Sequence, residues 1–203
     1  MPSAQRFQAI AIRPLLLALL CLLLVARTGA AWAADEPSEV ARLHASGQTV
    51  AALQRADDYL ATHPRDPQMR FAKAVILGDT GRGPEATAML EKLTEDYPDL
   101  PEPHNNLAVL HAAAGRYAQA RRELEQALRL DPGYATAHEN LGDVQLALAR
   151  ESYANALRLS PSRPGVSAKI ARVTALLPPT PPASAPANVP SAARAGSAPV
   201  GNR

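Results

Sequence analysis

The sequence predicts an all-α fold, a solenoid of about four stacked helical hairpins, on three observations. Residues 101–134 read as two short amphipathic helices joined by a tight turn at Gly115-Arg116. Leu107 and Leu110 mark the apolar face of the first, and Ala120, Leu124, Ala127 and Leu128 that of the second, at helical spacings of three and four. The unit also recurs with a period of 34 residues, seen in Gly47, Gly81 and Gly115, in Ala52, Ala86 and Ala120, and in Pro64, Pro98 and Pro132. Finally, His104, Asn106, Leu107, Leu110 and Ala112 reappear one period later as His138, Asn140, Leu141, Val144 and Leu146. A single hairpin cannot bury its apolar face alone, so such units must stack.

The first element is a basic, apolar leader. Arg6 and Arg13 precede an apolar run at residues 15–25, and Ala31-Trp32-Ala33 supplies an A-x-A site. This pattern predicts a secretory signal peptide over residues 1–33, with an uncleaved anchor as the alternative. Eleven apolar residues fall short of the ~18 a spanning helix needs. Loss of Arg6, Arg13 and Arg27 leaves 18 basic against 19 acidic residues, a net charge of −1. The basic pI of the whole sequence then belongs to the leader, and the main argument for nucleic-acid binding goes with it. Cys21 lies in the leader too, so the remaining chain needs no disulfides in an oxidising compartment.

The repeats follow at about 33–66, 67–100, 101–134 and 135–163, with a cap at 164–177; together they make a solenoid domain at 34–177. Unit one has a short first helix (37–45) and a second at 48–62, burying Ala52, Leu53, Ala56 and Leu60 beneath polar Gln54, Arg55, Asp57 and Asp58. Unit two has a first helix at 67–80, stopped by Gly81, and a second that Pro84 opens and whose stripe is Ala86, Met89, Leu90 and Leu93. Unit three's second helix should turn Arg121, Arg122, Glu123 and Glu125 to solvent.

Unit four departs from the pattern. Pro132 to Pro161 is 29 residues, five short of the period. The loss falls on the turn, where Leu146 to Glu151 contains no glycine, and Ala149, Tyr153 and Leu157 keep i+4 spacing across it. A single helix over about 135–159, straight or kinked, is therefore predicted, about 37 Å long against about 21 Å for a 14-residue helix. Its far half would expose Tyr153 and Leu157. A capping helix over 166–177 is the expected cover, with a second protomer docking on Tyr153 and Leu157 as the alternative. Residues 178–203, rich in Pro, Ala, Ser and Gly, cannot bury a core and are expected to be disordered.

The unit resembles the tetratricopeptide repeat. Leu107-Ala108, Gly115, Tyr117, Ala120, Leu124, Ala127 and Pro132 stand where that family has its pattern, while His104 and His111 replace its frequent Trp and Tyr. The resemblance covers roughly residues 37–161 and implies a right-handed solenoid whose first helices line a concave groove. That groove would display Gln68, Phe71 and Val75; then Glu102, Asn105, Asn106 and Val109; then Thr136, Glu139, Asn140 and Asp143. Asn106 and Asn140 match positions that hold a ligand backbone in peptide-binding members. The alternative is that both only bond to the repeat's own backbone. The basic residues that clamp a carboxylate in some members are missing, and Glu139 and Asp143 suggest a ligand with a basic group.

No catalytic constellation is visible. There is no H-x-x-x-H or Cys pair for zinc, no phosphate loop and no G-x-S-x-G elbow. His104 and His138 are expected to serve repeat packing. Eight aromatic residues leave few stacking platforms for bases or sugars. The stretch from His138 to Asp143, with the shortened fourth unit, resembles exported repeat proteins of bacterial cell envelopes, which implies a non-enzymatic scaffold of the bacterial periplasm that needs no cofactor or metal. It would take a protein or extended peptide partner, with no nucleic acid and no membrane attachment after cleavage, as a monomer. A self-associating envelope protein, dimerising through the long fourth-unit helix, is the alternative.

Overall fold

A computed structural model describes residues 36–177, all of whose regular elements are helices. The expected leader (1–33) and tail (178–203) lie outside the described residues. The helices are α1 (Glu36–Ala45), α2 (Thr49–Thr62), α3 (Pro67–Asp79), α4 (Gly83–Asp96), α5 (Pro101–Ala113), α6 (Tyr117–Leu130), α7 (Ala135–Leu159) and α8 (Val166–Leu176). Consecutive helices pack as hairpins, and α1, α3, α5 and α7 also meet in succession, so the first helices of the units form one continuous layer.

The hairpin turns are built alike. Gly47, Gly81 and Gly115 have φ of 81°, 76° and 72°. In the third turn Gly115 N–H reaches Ala112 O (2.9 Å) and Arg116 N–H reaches His111 O (2.8 Å), with the same two bonds at Gly47-Gln48 and Gly81-Arg82. A left-handed glycine so placed satisfies the last carbonyls of the preceding helix and reverses the chain. Turns between hairpins rely on side chains: Asp66 caps α3 by accepting from Met69 N–H at 2.8 Å, and Asp131 Oδ1 accepts from Gly133 N–H.

Burial follows the repeat. Ala52, Ala86 and Ala120 are wholly buried, because a larger side chain there would push the paired helices apart. Three apolar clusters fill successive junctions, centred on Val40, Met69 and Ile76, then Phe71, Leu90 and Leu93, then Ala108, Leu124 and Val144.

The fourth unit is the long helix its spacing predicts, unbroken from Ala135 to Leu159. The cap folds back along it: Val166 is buried, Ile170 and Val173 are half-buried, and Lys169 Nζ lies 5.4 Å from the Tyr153 ring centre. Tyr153 and Leu157 are accordingly half-buried, and α8 is the cover the sequence favoured over a second protomer.

Two expectations need correction. Glu123 does not point to solvent with Arg121, Arg122 and Glu125; it is half-buried and receives His104 Nδ1 at 2.8 Å. His138 does not repeat that packing. It is exposed and bonds Pro132 O, because α7 runs straight on and no returning second helix brings a carboxylate to it.

Candidate functional site: the face of the first helices

The expected groove residues do fall on the layer of first helices, but most are not displayed. Phe71 is completely buried in the second apolar cluster, and Val75 and Val109 are buried as well. Phe71 is therefore core, not a ligand platform: its ring fills the junction of α3 with α4 and α5. Placement by repeat register missed this because register fixes the side of the helix, not the depth of packing around it.

The amides are corrected too. Asn105 keeps 1 % of its surface, Asn106 7 % and Asn140 8 %. Asn140 Nδ2 donates to Asn105 Oδ1 at 2.9 Å, across from α7 to α5. Asn106 Nδ2 donates one turn back to Glu102 O at 3.0 Å. Asn106 thus makes the internal backbone bond weighed against a ligand contact, whereas Asn140 ties one repeat to the next. A buried primary amide needs such partners, since each one left unmade costs about 1–3 kcal/mol. Glu102 is buried beside them, and Tyr134 is half-buried. Burial first, then the charges of Glu102 and Asp131, push the Tyr134 hydroxyl up to about 12.

What remains open to a ligand is acidic. Glu139 is exposed and Asp143 half-buried one turn along α7, and neither has a cationic partner among the described residues. Burial, then the neighbouring charge of Glu139, raises the Asp143 carboxyl above its ordinary value. Thr136 and Gln68 are half-buried on the same layer.

Several other titratable groups are paired. Arg70 Nη1 meets Asp96 at 2.7 Å, Lys73 pairs with Asp57, and His44 Nε2 meets Asp79 at 3.0 Å. The acidic pairs Asp57-Asp58 and Glu95-Asp96 thus sit among cations, and Arg70 foremost holds the Asp96 carboxyl below its usual range. His111 is buried, and Arg116 donates to its Nδ1 from Nε (3.2 Å) and Nη2 (3.0 Å). A guanidinium only donates, so that nitrogen carries a lone pair and the ring is neutral. Burial, then the charge of Arg116, lowers the His111 pKa from 6.5. No three of the described His, Asp and Glu side chains are grouped to hold a metal ion.

Stacked helical hairpins with a shared layer of first helices define a repeat solenoid. Two family models match adjoining stretches, one described as tetratricopeptide repeat over residues 30–110 and one as TPR repeat over 111–148. Together they span more than half of the chain, and its repeats belong to the tetratricopeptide-repeat family. Such repeats generally mediate protein–protein interaction and are typically not catalytic.

Among curated proteins, a TPR repeat-containing thioredoxin, TTL4 of Arabidopsis thaliana, is 37% identical over 68 residues. That alignment spans 34% of this chain and 10% of the relative. Among solved structures, Pseudomonas aeruginosa pilF aligns over 70% of this chain and 69% of its own, at 21% identity and a TM-score of 0.51. An O-GlcNAc transferase of Thermobaculum terrenum aligns over 60% of this chain and 23% of its own, at 24% identity and a TM-score of 0.53. Naa15/Naa10 bound to HypK-THB aligns over 70% and 22%, at 20% identity and a TM-score of 0.51. At these identities the likeness is one of fold.

Proposed function

We propose that this chain is a non-enzymatic scaffold, exported to the bacterial periplasm, that binds a protein or extended peptide against the layer of first helices in units three and four. The observation that carries the reading is the pair Glu139 and Asp143, neighbouring carboxylates with no cationic partner among the described residues, where Asp57 and Asp96 of the earlier units pair with Lys73 and Arg70. A Lys, Arg or amino-terminal group of a partner would relieve their mutual repulsion and stabilise the charged form of Asp143. Asn140 ties α7 to Asn105 of α5, and Asn106 bonds back within α5, rather than gripping the ligand. Export rests on the basic, apolar leader and its A-x-A site.

The test is crosslinking in intact cells, comparing the natural chain with Glu139→Lys/Asp143→Lys. The reading expects partner adducts lost in the variant while its helical circular dichroism is unchanged. Adducts of equal yield would overturn the acidic face as the site. Fusion of residues 1–40 to a reporter active only outside the cytoplasm checks export, and a silent reporter would overturn it.

A further inference from the structure

Charge is segregated along this chain. All 19 acidic residues lie between Asp35 and Glu151, together with 12 basic ones, for a balance of −7. After Glu151 there is no acidic residue at all, and six basic ones follow: Arg158, Arg163, Lys169, Arg172, Arg194 and Arg203. The first four belong to the end of α7, the connecting turn and α8. All four are exposed, and none enters an ion pair with another described residue. Elsewhere basic residues such as Arg42, Arg55, Arg70, Lys73 and Arg82 do.

The same end carries two of the three large exposed apolar side chains among the described residues, Leu159 at 77 % and Leu176 at 68 %. α8 turns Val166, Ile170 and Val173 to α7, and leaves Ala168, Ala171, Arg172, Ala175 and Leu176 outside. Nothing described packs on that outer face.

We infer that this end of the solenoid, formed by the last turn of α7, the 160–165 turn and α8, docks on the surface of an anionic lipid membrane. Unpaired Lys and Arg gather at a negative headgroup layer, and exposed leucines beside them enter the headgroup–acyl boundary. The acidic remainder of the molecule is repelled by the same surface, so attraction and repulsion together orient the solenoid end-on, with Glu139 and Asp143 held on the part away from the lipid. No described helix is long and apolar enough to span a membrane, so docking of this end is a surface contact. A nucleic acid would find the cations but no exposed aromatic ring here, since Tyr153 is half-buried under Lys169. The inference does not depend on the acidic pair being a ligand site, and it revises the sequence expectation of no membrane attachment.

Hydrogen exchange on the full chain, with and without vesicles, tests this surface locally, so that binding through the leader does not decide the result. Vesicles of phosphatidylcholine with one-third phosphatidylglycerol should slow exchange across α8 at least tenfold more than phosphatidylcholine alone, with α1 and α2 unchanged. Raised salt, or Arg158→Glu, Arg163→Glu, Lys169→Glu and Arg172→Glu together, should abolish the effect. Those side chains are exposed and make no ion pairs among the described residues, Lys169 lying only over the Tyr153 ring, and an unchanged thermal melt confirms that the variant folds. If the quadruple variant proves unstable, the same four positions changed to Gln serve instead. The idea is overturned if α8 exchanges equally with both vesicle types. It is likewise overturned if the same protection appears without lipid as concentration rises, which would mark a second copy as the partner, or if it appears only with duplex DNA.

Discussion

Replacing Asn140 by alanine removes the amide that donates to Asn105 Oδ1 at 2.9 Å across the α5–α7 junction. With Asn105 at 1 % exposure, water cannot take over the vacated bond. An orphaned buried acceptor costs about 1–3 kcal/mol, while alanine in a helix recovers up to about 0.7 kcal/mol of propensity. The net loss should be about 1–2 kcal/mol. Asn105→Ala orphans the Asn140 donor and should cost a similar amount. The double variant leaves neither group stranded, so its loss should fall short of the sum of the singles by about 1 kcal/mol or more, within the usual range for contacting residues. Urea titration followed by circular dichroism measures all four corners of the cycle, provided the m-value stays constant. Losses that add within about 0.3 kcal/mol would refute the reasoning. So would singles as stable as the natural chain.

Other outcomes follow from single positions. Gly115→Ala at φ 72° meets nothing within 4 Å, so its cost is backbone strain alone, about 1–2 kcal/mol; Gly142→Ala, within α7 and equally unobstructed, should stabilise by about 0.5–1 kcal/mol. Thermal melts should therefore move in opposite directions for the two. Leu124→Ala, which empties a fully buried place in the third cluster, should cost about 2–5 kcal/mol in the same titration. His111 has a folded-state pKa below 6.5, so folding disfavours its proton; its contribution is complete above pH 6.5 and is lost as pH falls below that value toward the folded pKa. Unfolding free energies between about pH 5 and 7.5 should thus rise more steeply with pH in the natural chain than in His111→Leu, and parallel profiles would exclude the buried neutral ring.

The sequence was most legible where backbone chemistry is stereotyped. Gly47, Gly81 and Gly115 announced left-handed turns because few other residues take that conformation, and each turn stands where its glycine does. The absence of glycine from 146–151 announced α7 with the same force. Legibility failed where the outcome depends on how closely neighbours approach. Phe71, Asn105, Asn106 and Asn140 have the right register for a groove, but register carries no information on depth, and an amide is as ready to bond a neighbouring amide as a ligand. The composition of Arg121, Arg122, Glu123 and Glu125 read as a uniform charged face, yet His104 selects Glu123 from it. A partial signal existed: histidine replaces the family's aromatic residue at 104, and a buried imidazole nitrogen needs a partner from the facing helix.

One deletion accounts for much of what distinguishes this solenoid. The place that Gly115 holds in unit three falls one period later on Ala149. A Cβ there makes the left-handed turn cost about 1–2 kcal/mol, and the five missing residues remove the room for it, so continuing the helix is the cheaper course. Because α7 does not fold back, no second helix of unit four brings a carboxylate to His138, which stays exposed. Because α7 runs on, its last turn carries Arg158 and Leu159 beyond the acidic repeats, and α8 adds Lys169 and Arg172 there. The unpaired His138 and the basic, apolar end are therefore two consequences of the same missing turn. A variant that restores the turn, with glycine at 149 and the five residues of unit three's turn inserted after it, should fold the far half of α7 back on its near half and so disperse the basic, apolar end, while Glu139 and Asp143 stay open on the first-helix face.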